Sequence, residues 1–442
     1  MKLVYILSIL LIFNNCSFDQ KSGIWKNENK IYDDKENIVF KDFKKINTSI
    51  DFFNEIIPIN SNYNFTIDEP LINKSWNDIF YKKNNNTINF KYDNLNQIVF
   101  KTKRLANNQV NDFLLFENKN LIINDIKGNI IIYSINNNSE VKRFNFYKKK
   151  YKKLKKSLNL IVDDNIIYIS DNIGYIYSYN YKYDKILWAK KFKIPFRSNI
   201  KLFSNKLVTS NQNNDLLILD KESGNLIKLI PSEETAFNNQ FENNIALSDR
   251  DIFFLNTYGS LYSINKNNFK INWFINLNKS LDLNLTNLFY GSNIVSYSNK
   301  ILLSSNENFY ILDNKTGSIL KKKNFSSNFK PIIINDYIFL ITKNNLLIAM
   351  ELQNGKIIYS YDIAEKVAKF INTKKKNLNI KSFIFANNKV FVFLKNSYVI
   401  EFEINGEITE VTKLPSNLKS QPIIIDNYLL YLNKKKKLVS VN

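Results

Sequence analysis

From about residue 110 onward the chain alternates short apolar runs with polar punctuation, at a spacing that suits strands and tight turns rather than helices. One stretch displays the unit: residues 165–170 read as a strand, 171–174 as a turn, 175–179 as a strand, 183–185 as a second turn and 186–189 as an outer strand. The same order returns at 251–255, 257–259, 260–264, 266–268 and 270–274. A phrase marks the second turn: an acidic residue, a few mostly polar residues, a glycine, then an apolar pair. It occurs at 220–227, 313–320 and 351–358, with its glycine at Gly224, Gly317 and Gly355. The turn between the second and third strands falls at Gly128, Gly174, Asn214, Gly259, Asn308, Asn345, Ser397 and near Lys435, at intervals of 37 to 52 residues. Eight such turns predict eight units of four short strands, each the size of a propeller blade.

The glycines support this division independently. Of nine in the chain, Gly128, Gly174 and Gly259 sit at the first kind of turn, and Gly224, Gly317, Gly355 and Gly406 at the second. These are the places where a backbone of positive φ is expected, and Asn, the next most tolerant residue, fills most of the others. The last unit stops at Asn442, after its third strand. In a closed ring an N-terminal strand supplies the missing one and removes an exposed sheet edge; residues 86–102 are the candidate. Within the less regular residues 38–100, the stretch 88–92 alternates as a half-buried strand would. The expected fold is therefore all-β: an eight-bladed propeller of four-stranded antiparallel blades, with the last blade closed by an N-terminal strand. An open solenoid is the alternative, and it would need polar capping units that are not evident.

Composition changes this picture only in part. A chain of 442 residues would ordinarily suggest two or three domains, but a repeat array removes that expectation, because each unit packs only against its neighbours. The formal net charge is +22, from 62 basic and 40 acidic residues, and the only arginines are Arg104, Arg143, Arg197 and Arg250. Readers of nucleic acid use arginine for bidentate contacts, so this lysine-dominated charge, together with abundant Asn and Ile, fits a coding bias better than a nucleic-acid partner. The densest lysine run, 148–156, suits either anionic headgroups, at about 1 kcal/mol per residue near a membrane surface, or a solvated loop. The runs at 321–323, 374–376 and 434–437 read the same way.

The N-terminus reads as an export signal: Lys2, then an eleven-residue apolar run over 3–13, too short to span a bilayer, then Cys16. Cys16 is the only cysteine, so an intrachain disulfide and a cysteine metal cluster are both excluded. Its position matches the lipidated cysteine of a bacterial lipoprotein, although Phe13, Asn14 and Asn15 make a poor cleavage box. The division expected is a signal peptide over 1–15, a lipidated tether over 16–37 and a propeller over 38–442. An exported protein cut elsewhere is the alternative.

The acidic-turn-glycine phrase followed by Trp, with Trp188 and Trp273 at that position, resembles the repeat of pyrroloquinoline-quinone-type propellers. Joined to a lipoprotein-like start, residues 70–442 are similar to the BamB family, lipoprotein propellers of the outer-membrane β-barrel assembly machinery. The resemblance implies a periplasmic, non-catalytic scaffold, monomeric within a complex. It would be anchored in the outer membrane through Cys16 and would bind the barrel-forming subunit through loops between blades. An arginine that the family uses in such a loop lies about nine residues after a motif tryptophan, which here is Arg197 after Trp188. Of the family's acidic pair, Glu242 falls at one position and Gln240 at the other, a departure from the pattern.

The enzymatic branch that shares this repeat implies a central quinone cofactor, calcium ligands, a catalytic Asp and often a vicinal cysteine pair. No cofactor and no metal are expected here. The absence of His excludes a Ser-His-Asp triad and imidazole ligation. Asp163 and Asp164 lie in a tight turn, where solvated carboxylates are commoner than catalytic ones. A degenerate quinoprotein dehydrogenase and a propeller binding cell-envelope polysaccharide remain as alternatives.

Overall fold

The computed structural model describes residues 17–18, 25–26, 53–148, 151–233, 242–278, 292–375 and 377–442. Residues 1–50 form a unit of their own, in which Ser17–Phe18 pairs antiparallel with Trp25–Lys26. The expected signal peptide, Cys16 and most of the tether lie outside the described residues.

The second unit, 51–442, carries eight four-stranded antiparallel sheets. Seven follow the chain without a crossover. Blade 1, for example, runs through Leu115–Glu117, Asn120–Asn124, Asn129–Ser134 and Ser139–Asn145, and blade 2 through Leu158–Asp163, Ile166–Asp171, Tyr175–Asn180 and Lys185–Lys191. The eighth blade takes Ile423–Ile425, Tyr428–Leu432 and Leu438–Val441 from the C-terminus and its outermost strand, Ile98–Lys101, from the N-terminal side. The ring closes as the sequence predicts, with four residues of the 86–102 candidate forming the strand.

Burial follows from blades packing on both faces. The inner three strands of a blade are buried almost end to end, as in Asn129–Ser134, while outer strands such as Ser139–Asn145 alternate between exposed and half-buried. The core is accordingly divided among the blade interfaces, as in the cluster of Tyr168, Trp188, Phe196, Leu207, Leu217 and Leu219 between blades 2 and 3.

The repeated phrase is a staple between blades. Gly224 has φ 68°, and a Cβ there would lie 2.4 Å from the ring of Trp188 in the preceding blade. Gly317, at φ 72°, stands in the same relation to Trp273, at 2.5 Å. The indole N–H of Trp188 donates to the carbonyl of Lys221 at 2.9 Å, and that of Trp273 to Asn314 at 3.1 Å. These two glycine turns are thus seated on the tryptophan of the blade before, whereas Gly355 faces Lys321 and Gly406 faces Tyr361. Asn214 and Asn345 turn with φ 65° and 62°, whereas Asn308 turns without positive φ.

The N-terminal segment departs from the strand reading. Residues 88–92 form no blade strand; they belong to a stretch, Leu71 to Tyr92, that fills the ring axis. Trp76 exchanges backbone hydrogen bonds with Phe116 of blade 1, the carbonyl of Asn77 accepts from Val162 of blade 2, and Asp78 pairs with Lys201 of blade 3. The carbonyls of Lys83 and Asn84 accept from Leu247 of blade 4 and Ser296 of blade 5. Asn86 bonds Ile333 of blade 6 in both directions, Phe90 donates to Phe385 of blade 7, and Asn73 donates to Ile424 of blade 8. All eight innermost strands therefore share one plug. It sits toward the end carrying the turns between first and second strands.

A mouth ringed by inter-blade loops

At the opposite end of the axis, the connections between blades surround a cavity of about 620 Å³. Its walls come from five connections, Gln109 to Phe113 ahead of blade 1, Lys155 to Ser157 ahead of blade 2, Phe196 and Arg197 ahead of blade 3, Glu242 ahead of blade 4, and Lys419 and Gln421 ahead of blade 8, together with turns of blades 1 and 2 at Asn124 to Ile126 and Asn172. The plug packs against its wall, where Phe80 meets Phe113 edge-to-face with ring centroids 5.8 Å apart. The mouth is thus a cup rather than a through-channel.

Arg197 is held rigidly by its backbone. Its N–H donates to Ser210 at 3.0 Å, and its carbonyl accepts from Asn243 at 2.8 Å. The preceding Phe196 is buried in the interface between blades 2 and 3. The following Ser198 is fully buried and accepts from the Ser210 N–H at 2.7 Å. The guanidinium itself is half-buried and, among the described residues, makes no hydrogen bond or ion pair. Arg104 and Arg143, by contrast, spend theirs on Ala106, Asn107, Leu105 and Glu140. Burial lowers the Arg197 pKa from its usual value, while the charge of Glu242 acts in the opposite sense.

Glu242 shares the cup with Arg197, so the ring brings the two nominated residues to one site, beyond ion-pair distance of each other. The side chain is open to the solvent of the cup, yet the surrounding protein raises its carboxyl pKa, with Arg197 opposing. Gln240 lies outside the described residues.

The sequence did not point to Asp112 or Lys419, which meet in the cup 3.5 Å apart, with Lys381 also 2.5 Å from Asp112. They are distant along the chain, and only ring closure brings them together. Of the lysine run 148–156, Lys155 is exposed at the cup, whereas Lys156 turns inward to the Tyr151 carbonyl and lies over the Tyr147 ring at 5.1 Å.

The donor chemistry does not suit a quinone with calcium. Asp112 is committed to two lysines and Asp125 to Asn108, Asn129 and its own turn. Among the described residues no three acidic or sulfur ligands converge. The axis itself is filled by residues 71–92.

Three comparisons bear on identity. A family model described as "Outer membrane protein assembly factor BamB" matches residues 126–361, more than half of the chain. No curated protein matches. Among solved structures, BamB from Moraxella catarrhalis is 12% identical with a TM-score of 0.60, covering 78% of this chain and 99% of that one. Quinohemoprotein alcohol dehydrogenase ADHIIG from Pseudomonas putida HK5 is 8% identical with a TM-score of 0.59, covering 83% of this chain and 80% of that one. The computationally designed Ika8 protein is 10% identical with a TM-score of 0.57, covering 78% and 99%. At such identities the structural likeness speaks to the fold alone.

Proposed function

The chain belongs to the family described as outer membrane protein assembly factor BamB, and from that premise we propose that it is a non-catalytic scaffold lipoprotein of the outer-membrane β-barrel assembly machinery. It docks on the barrel-forming subunit from the periplasmic face of the outer membrane, tethered through a lipid on Cys16 after removal of residues 1–15, and works as a monomer within that complex.

The observation that carries this reading is Arg197: a cation fixed by its backbone at a loop-ringed mouth, with a guanidinium that makes no hydrogen bond or ion pair among the described residues. An arginine so prepared loses little freedom when a partner carboxylate or carbonyl meets it, which is how interface arginines become dominant contacts. Glu242 and Lys419 across the cup give the same surface charges of both signs, which favours one partner orientation over others.

The rival reading, a quinoprotein dehydrogenase, has the fold likeness to ADHIIG in its favour. The filled axis and the paired carboxylates count against it. The test is capture of the barrel-forming subunit by wild type and by Arg197→Ala with folding retained. Loss of capture supports the assignment, and undiminished recovery overturns it. Cofactor-dependent turnover of an alcohol or sugar by the purified protein would overturn the scaffold reading itself.

A further inference from the structure

The plug is seated on two lysines that reach in from the ring. Lys201, the first residue of blade 3's inner strand, is fully buried. Its Nζ lies 2.5 Å from Asp78 Oδ2 and donates to the Lys82 carbonyl at 3.0 Å. Lys330, in the connection entering blade 6, donates to the carbonyls of Phe80 at 3.1 Å and Asn85 at 2.5 Å. Part of Lys330 remains exposed as a residue, so protons have access to it, but its Nζ is surrounded by protein.

The charges in this seat do not balance. Among the described residues, Asp78 is the carboxylate acting on Lys330, and it is already paired with Lys201, which itself repels Lys330. The other charged groups of the turn face elsewhere: Lys83 pairs with Asp249 at 2.9 Å on the surface, and Lys82 Nζ lies over the Tyr81 ring at 5.3 Å. A protonated Lys330 is therefore a second cation for a single anion, and an uncompensated charge in such a site is strongly unfavourable. A neutral Lys330 still carries two N–H groups, enough for both carbonyls. The amine thus satisfies the turn without the charge.

We propose that Lys330 is a proton-sensitive latch for the plug: its neutral form holds the turn Asp78 to Asn86 against blades 4, 5 and 6, and its protonated form loosens that turn. Because Phe80 packs on Phe113, which lines the cup, the latch also acts on the wall of the mouth. Burial and then Lys201 bring the Lys330 pKa down to about 7, with Asp78 opposing. Released to solvent, the lysine returns toward its ordinary 10.5. The closed state therefore binds fewer protons than the open one between these values, and closure tightens by about tenfold per pH unit as pH rises from 7. Below 7 the loosened condition is constant.

Hydrogen exchange, corrected for the intrinsic pH dependence, tests this on the full chain. The reporter amides are Leu247, Ser296 and Ile333, which bond the turn. Between pH 7 and 9 their protection should rise by about a hundredfold in wild type, two units at tenfold each, while staying below that of Ile169 and Tyr177 in blade 2. Lys330→Met should make it independent of pH, and Lys330→Arg should hold it low throughout. Flat protection in wild type overturns the latch, even if neither variant folds. Protection equal to that of blade 2 at every pH overturns it too, because plug and ring would then open as one body.

Discussion

The two ends of the ring axis spend their polar groups in opposite ways. At the plugged end, Asn73, Asn85, Asn86 and Asp78 are committed to inner strands of the ring. At the mouth, Arg197 is fixed in backbone, and its side chain is unbonded among the described residues. The plugged end acts as part of the core, so changes there should be read as losses of stability. The mouth is built on that rigid frame but owes the frame little, so changes there should be read in binding.

The largest loss of stability is expected from Asp78→Ala. It leaves Lys201 buried without its carboxylate, and denaturant unfolding should register a loss of about 3–5 kcal/mol. Replacing the pair by Leu and Met should cost less, since no buried charge is then left alone. Next comes the staple. Gly224→Ala places a methyl 2.4 Å from Trp188 on a left-handed backbone, and should cost about 2 kcal/mol. The change should appear as a lower Tm with unaltered partner capture.

The effect of pH is graded rather than abrupt. The folded-state pKa of Lys330, about 7, lies below its unfolded value. Its share of stability is therefore fully present above the unfolded value and declines as pH falls toward 7. Lys266, brought down to about 8 by burial and then by Lys83, acts in the same direction. Denaturation midpoints should climb from pH 7 to about 10, where the buried tyrosines with raised pKa values, such as Tyr92 and Tyr431, begin to oppose the trend. Lys330→Met should flatten the climb.

Much of the ring was legible in the sequence because its constraints are local and repeated. Gly224 and Gly317 persist because a Cβ there would strike the neighbouring tryptophan, and the missing last strand calls for closure from the N-terminal side. The plug was not legible. Asn84, Asn85 and Asn86 are among its main ligands, yet in a chain so rich in Asn they carry no contrast. A segment that bonds eight different strands has no period, and the alternation at 88–92 imitates a strand. The cup was half legible. Arg197 and Glu242 could be nominated only because the family resemblance implies an arginine after a motif tryptophan and an acidic pair before the next blade, whereas Asp112 and Lys419 meet only after the ring has closed.

The least change in stability is expected at Arg197. Arg197→Ala should leave stability within about 0.5 kcal/mol of wild type. Recovery of the barrel-forming subunit from solubilised membranes should nevertheless fall roughly 30-fold, as for a central interface arginine worth about 2 kcal/mol. That paired measurement of unfolding midpoint and co-purified subunit, on one preparation, tests the central claim directly. An unchanged midpoint with lost partner is the predicted result, and an unchanged midpoint with full recovery contradicts it.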